Sequence, residues 1–144
     1  MSAHPNTSAR EFAMQFLYQC ELEKLYYFSE SHFTAFAQHQ SVPTEQITMC
    51  RTITRGALED LHSIDEQIQA ASTSWKLSRM PVVDRSVLRL ATFELGLGIE
   101  PMRVILNEAV ELAKKYGTED SGRFVNGLLD KIAHGKTHKL SSPD

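Results

Sequence analysis

The sequence predicts an all-α fold: a single-domain bundle of about six or seven helices. Three observations predict it. Apolar residues recur at i, i+3 and i+4 along most of the chain, and no segment carries a competing strand signal. Glycine is scarce, absent before Gly56 and then limited to Gly96, Gly98, Gly117, Gly122, Gly127 and Gly135. A length of 144 residues suits one domain rather than two, and short connections make successive helices pack antiparallel. The expected organisation is a flexible tail over residues 1–8, a helical domain over 9–135 and a second flexible tail over 136–144.

The first helix is expected from Ala9 to about Leu25, because Ala9, Phe12, Ala13, Phe16, Leu17 and Cys20 form one apolar stripe. Ser8 and Glu11 have the spacing of a capping box. A short second helix is expected around His32 to Ala37, with a break before Pro43. From Thr44, a suitable N-cap, Ile47, Cys50, Ile53, Ala57, Leu61, Ile64 and Ile68 keep helical spacing as far as Ala71. Ser63 and Glu66 form another capping-box pair, which predicts a break near His62. Trp75 to Met80 reads as a loop or turn, and Pro81 fits the first position of the next helix, where its missing N–H is harmless. That helix carries Val83, Val87, Leu90, Ala91, Glu94 and Leu95 and ends at Gly96 and Gly98. Pro101 opens another, with Val104, Ile105, Ala109, Leu112, Ala113 and Tyr116 on one face and Gly117 after it. The last runs from about Asp120 to Ala133 and stops at Gly135, with Gly127 inside it expected to permit a close helix contact.

Charge excludes the simplest nucleic-acid binder, one that holds phosphates by a large basic excess. Fifteen Lys and Arg face 18 Asp and Glu, for a formal charge of −3. Residues 1–60 hold four basic residues against seven acids, whereas residues 61–144 hold eleven of each. Cys20 and Cys50 lie among apolar positions with no metal-ligand spacing. The six histidines are scattered, and neither phosphate-loop glycine motif occurs. Glu108 and Glu111 beside Lys114 and Lys115 read as solvated ion pairs rather than catalytic acids. No cofactor or metal is expected. The N-terminal residues resemble no signal or transit peptide, and no apolar run is long enough to span a membrane, so a soluble, cytoplasmic protein that binds rather than catalyses is expected.

Three clusters are candidates for that binding. On the far side of the first helix, Arg10 and Tyr18 lie with Glu11, Gln15 and Gln19. Tyr18 either stacks a base while Arg10 meets a phosphate, or packs on a neighbouring helix and hydrogen-bonds at its tip. A second cluster, Lys76, Arg79, Asp84, Arg85 and Arg89 beside Trp75 and Met80, reads either as a partner-protein surface or as a helix start laced with ion pairs. The third, Gly117 to Gly127, is a tight loop feeding a helix N-terminus. It suits an anion or an internal cap from Asp120 or Ser121.

Four strings carry a resemblance: ArgGluPheAlaMetGlnPheLeuTyrGln after Ala9, ValAspArgSerValLeuArgLeuAlaThrPheGluLeu over 83–95, AsnGluAlaValGluLeuAlaLysLysTyrGly over 107–117, and PheValAsnGlyLeuLeuAspLys over 124–131. Together they resemble the NusB family of bacterial transcription antitermination factors over residues 9 to about 133. The resemblance implies a role without catalysis: binding of boxA-type RNA from ribosomal RNA operons together with a NusE-like ribosomal small-subunit protein, in an RNA polymerase antitermination complex. It places Arg10, Tyr18 and Phe124 toward RNA, Asp84 toward the NusE-like partner, and Asp120 in a loop that tunes the assembly. Charge and location add Arg123 to the RNA set and Arg79 and Arg85 to the partner set.

The chain departs from the family in one respect. The arginine-rich run usual ahead of the first helix is replaced by Ser2-Ala3-His4-Pro5-Asn6-Thr7-Ser8. Weaker, less salt-sensitive RNA binding that leans on the protein partner is the expected consequence. The alternative is a divergent protein-interaction or self-associating module, monomer or homodimer, with little RNA binding. An enzymatic reading, as the front module of an RNA cytosine methyltransferase, would need a catalytic domain that these residues do not contain.

Overall fold

Helix α1 (Thr7–Glu23) is the central element, because its buried face is wider than a simple stripe: Ala9, Arg10, Ala13, Met14, Phe16, Leu17 and Cys20 all lose solvent contact. The computed structural model describes residues 6–141. After α1 come α2 (Glu30–His39), α3 (Thr44–Glu59), α4 (Leu61–Ala71), a 3-10 turn (Leu77–Arg79), α5 (Val82–Leu97), α6 (Met102–Tyr116) and α7 (Glu119–Ser141), with no strand among the described residues. Helix α1 packs on α3 and α5, α5 on α6, and α6 on α7.

Phe16 is the hub of the α1 side of the core. Its ring meets those of Phe33 and Phe36 at centroid distances of 5.4 and 5.1 Å, and His32 at 5.0 Å. Aromatic pairs in this range add to the gain from burial. This cluster explains why α2, a short helix of limited propensity, holds its place. On the other side of α1, Phe93 of α5 sits directly over Gly56 of α3, where a Cβ would lie 2.0 Å from the ring. The α3–α5 approach therefore depends on a residue without a side chain.

Several boundaries differ from the sequence expectation, each for a local reason. Helix α1 begins at Thr7, so Thr7 and Ser8 are helical rather than tail, and the Ser8/Glu11 capping box does not form; Asn6 takes the N-cap with no side-chain cap bond. The Ser63/Glu66 pair does not cap either, because the break falls at Asp60 and α4 starts at Leu61. Thr44 is the first helical residue of α3 rather than its cap. Pro43, Pro81 and Pro101 each stand one residue before their helices, with ψ of 143–145°. Such an extended ψ suits the residue that turns the chain into a helix.

Helices α1 and α2 stop without glycine. Lys24 and Ser41 adopt left-handed φ values of 57° and 54°, and the Leu25 and Val42 N–H groups reach back to Cys20 and Ala37 carbonyls, closing Schellman-type ends. Gly127 has nothing within contact distance of an added Cβ, so it permits no close packing. Helix α7 continues through Gly135 to Ser141, beyond the predicted stop. The expected tails over 1–5 and 142–144 lie outside the described residues.

Candidate nucleic-acid interface

The first-turn arginine of α1 turns inward. Arg10 is 2% exposed, and its guanidinium grips both carboxylate oxygens of Glu94 at 2.8 Å, with Glu100 and Glu108 each at 3.3 Å. The Thr7 hydroxyl donates to Glu108 at 2.7 Å and the Asn6 amide to Glu100 at 2.8 Å. Burial alone would lower the Arg10 pKa, but the hydrogen bond to Glu94 and the charges of all three carboxylates outweigh it and raise it. This corrects the expectation that Arg10 faces RNA. Arg10 shares a helix face with Met14 and Leu17, and Glu94 occupies the apolar stripe of α5, so the two charges meet inside the bundle.

Partner-facing expectations change in the same way. Asp84 is 4% exposed; burial pushes its carboxyl upward, and the nearby Ser121 hydroxyl only partly opposes this. It cannot present its side chain to a partner from that position. The Arg85 side chain is 11% exposed and donates to Glu21 at 2.8 Å and to the Leu77 and Met80 carbonyls at 3.0 Å. It clasps the 3-10 turn to α1 instead of projecting. Arg89 likewise joins Glu21 and Asp65. Arg79 does lie exposed at the end of the 3-10 turn, near exposed Lys76 and Trp75. That turn is itself fixed: Ser72 Oγ donates to the Trp75 carbonyl and Gln69 accepts from Leu77 N–H.

The remaining candidates stay at the surface. Tyr18 and Phe124 are half-buried rings on the rim of the core. Glu11 and Gln15, beside Tyr18 on α1, bond the Tyr116 hydroxyl at the end of α6, and Lys115 pairs with Glu11. This lattice braces the α1–α6 seam. Gln19 instead meets His32 at 3.2 Å. Glu111 pairs with Lys114 at 3.7 Å as the helical spacing suggests, whereas Glu108 belongs to Arg10.

Arg123 and Asp120 are both exposed and paired with each other. They stand at the head of α7, and an open groove between α6 and α7 is lined there by Asn107, Lys114, Gly122, Arg123 and Asn126. Glu111, Glu119 and Val110 line it too, both acids being paired with Lys114, so the feature there that suits phosphates and bases is Arg123 beside the half-buried Phe124 ring.

Sequence reasoning missed Glu100, Glu21 and Asp65 and gave Glu94 no partner, whereas Ser121, named as an internal cap, does accept from the Thr118 N–H. One signal was available: an arginine beside the apolar stripe of one helix and a glutamate on the stripe of another announce a buried pair. Cys20 and Cys50 are buried, and desolvation pushes both thiols up to about 12, which leaves them unreactive. Among the described residues no group of three or more His, Cys, Asp or Glu could hold a metal ion, and no helix is long and apolar enough to cross a membrane.

Comparison with known proteins places this arrangement. The NusB family profile matches residues 7–134. The chain is 44% identical over 133 residues to the transcription antitermination protein NusB of Anaeromyxobacter dehalogenans (strain 2CP-1), covering 90% of each. It is 42% identical over 134 residues to that of Bdellovibrio bacteriovorus, covering 90% of this chain and 94% of the other. Among solved structures it matches T. maritima NusB with a TM-score of 0.78 at 37% identity, covering 92% of this chain and 93% of that one. It also matches a crystal structure of the antitermination factors NusB and NusE in complex with dsRNA, with a TM-score of 0.79 at 27% identity, covering 90% and 96%.

Proposed function

Because the chain belongs to the NusB family, we propose that it is a transcription antitermination factor that binds boxA-type RNA jointly with a NusE-like ribosomal small-subunit protein. It acts by binding rather than catalysis, in the cytoplasm, within an RNA polymerase antitermination complex that supports ribosomal RNA operon transcription. The observation that carries this reading is the likeness, over nine-tenths of the chain, to a protein solved with NusE and RNA. In this reading Tyr18 and Phe124 offer ring faces to bases, Arg123 meets phosphate, and Asp120 tunes Arg123 by competing for its guanidinium. Arg79 belongs to the partner surface with Trp75 and Lys76.

Partner dependence follows from where the arginines went. Arg10, Arg85 and Arg89 are all engaged with internal carboxylates, so they contribute little to phosphate binding. Each phosphate contact to a single strand adds about 0.7 to the salt slope of log affinity. The isolated chain should therefore bind RNA weakly with a shallow slope, and the NusE-like partner should raise affinity. Titration of fluorescein-labelled boxA-type RNA at two salt concentrations, with and without that partner, checks this. Tight binding by the chain alone, unaffected by the partner, would refute partner dependence; no binding in either case would refute the RNA role.

A further inference from the structure

Glu11 is a partly covered acid near the start of α1, with 22% of its side chain exposed, and one of its carboxylate oxygens meets two groups of α6. The Tyr116 hydroxyl donates to Glu11 Oε2, and the Lys115 ammonium reaches the same oxygen at 2.5 Å. The Gln15 amide, one turn further along α1, donates to the Tyr116 hydroxyl at 2.8 Å. The Lys115 ammonium also lies 5.6 Å from the centre of the Tyr116 ring, within reach of its π face.

These contacts are not equivalent. Tyr116, with Gln15 and Glu11, makes a hydrogen-bonded bridge between α6 and α1 that stands without Lys115. The Lys115 side chain is 63% exposed, and an ion pair so open to water stabilises little. When Lys115 leaves, Glu11 keeps the Tyr116 hydroxyl as a donor, so the exchange strands no acceptor. A phosphate oxygen suits that exchange, because it accepts from an ammonium as a carboxylate does. In leaving, Lys115 also uncovers the Tyr116 ring, 37% exposed already, and every base has a face that stacks on an aromatic ring.

The Glu11–Lys115 pair borders a groove also lined by Thr7, Glu108, Glu111, Leu112 and Lys114. Of its acids, Glu108 is held by Arg10 and Glu111 by Lys114, which leaves Glu11 to compete for Lys115. Glu111 and Lys114 also line the α6–α7 groove that carries Arg123, so the two grooves adjoin across α6.

We propose that the α1–α6 seam is a second RNA subsite held closed by Glu11: a backbone phosphate of single-stranded RNA takes Lys115 from the Glu11 carboxylate, and the departing ammonium bares the Tyr116 ring for the adjoining base. Lys115 and Tyr116 then touch RNA, and Glu11 sets how readily they are released. The subsite rests on the RNA role proposed above.

Anisotropy titrations of fluorescein-labelled boxA-type RNA with the full chain and its NusE-like partner, over a series of salt concentrations, test it. Lys115→Ala should weaken binding about fivefold and lower the salt slope by about 0.7, with an unchanged melting temperature. Glu11→Gln keeps an oxygen for the Tyr116 hydroxyl but gives up the charge that holds Lys115. Its affinity should rise about threefold, and the Glu11→Gln/Lys115→Ala double variant should lose that gain. Tyr116→Ala should weaken binding about tenfold, and Tyr116→Phe, which keeps the ring, should recover most of the loss. Three results would each overturn the subsite: Lys115→Ala with the affinity and slope of the unaltered protein, a gain from Glu11→Gln as large without Lys115 as with it, or Tyr116→Phe as weak as Tyr116→Ala. If the unaltered protein and its partner bind no RNA, the functional reading fails and takes the subsite with it; RNA bound equally by every variant overturns the subsite alone. If Tyr116→Ala does not fold, Lys115→Ala and Glu11→Gln decide the outcome.

Discussion

The two ends of α1 are fastened to α5 by ion networks of opposite composition. At the N-terminal end one guanidinium, Arg10, is held among three carboxylates, Glu94, Glu100 and Glu108. At the C-terminal end one carboxylate, Glu21, is shared by two guanidinium groups, Arg85 and Arg89. The matching order of charges along the two helices fixes them antiparallel, since Arg10 meets Glu94 while Glu21 meets Arg85. The networks differ in redundancy. Arg10 is the shared cation of its cluster, with both sides of the Arg10–Glu94 pair nearly sealed from water at 3% and 5% side-chain exposure. At the other end Arg89 also has Asp65, and Arg85 also has two backbone carbonyls. Charges that look available for ligands in the sequence are here the pins of the core, and the deeper pin is the less replaceable.

Arg10→Ala should show the largest effect. Removing the cation strands buried carboxylates, and breaking such a pair costs about 3–5 kcal/mol. Urea unfolding measures it, and a loss below about 1 kcal/mol would mean that water relieves the cluster and the two ends are alike.

Glu21→Ala should cost less, about 1.5–3 kcal/mol, because both arginines keep hydrogen-bonded partners. A loss exceeding that of Arg10→Ala would reverse the ranking.

Acid should act mainly through the carboxylates already paired. Burial pushes Glu21 upward, but hydrogen bonds from Tyr26 and Arg89 and the charges of Arg89 and Arg85 outweigh it, so its pKa falls below the ordinary glutamate value. Glu11 is lowered in the same way against its own burial, by Lys115 and Tyr116. A depressed folded pKa means stability that is present above the unfolded value and lost as pH falls through the folded one. Thermal melts of Glu21→Gln should therefore lose less stability on acidification than the unaltered protein and show the same slope between about pH 6 and 8. Equal acid slopes would remove Glu21 from the account.

The smallest effect on stability is expected at the exposed head of α7. Arg123→Ala should leave the melting temperature unchanged while reducing the salt slope of RNA binding by about 0.7. A stability loss with an unchanged slope would make Arg123 a structural residue like Arg10.

Much of the fold was legible because helical periodicity records burial along one face. The six long helices and the short α2 follow from it; the break between α3 and α4 does not, since the spacing runs through it and the Ser63/Glu66 pair that suggested it does not cap. Ends were less legible where the stop used Lys24 and Ser41 in a left-handed conformation, since neither residue type announces one. Gly127 and Gly56 show the same limit: each is a glycine within a helix, but only Gly56 faces a ring across the core. At the candidate site Tyr18, Phe124, Arg123, Asp120 and Arg79 kept surface positions, whereas Arg10, Asp84 and Arg85 did not. A charge on an apolar stripe marks burial locally, but the partner 84 positions away is set by where another helix comes to rest.

By itself, then, the sequence determined the class of fold, the run of helices and, through four strings of residues, the family, because periodicity and motif are both local in the chain. Tertiary structure alone decided which charges meet each other and which meet solvent. Arg10 and Arg123 are the same residue type in the first turns of two helices; one is closed over by α5 and α6 and the other by nothing but Asp120, and burial, not chemistry, separates the structural cation from the one left to bind.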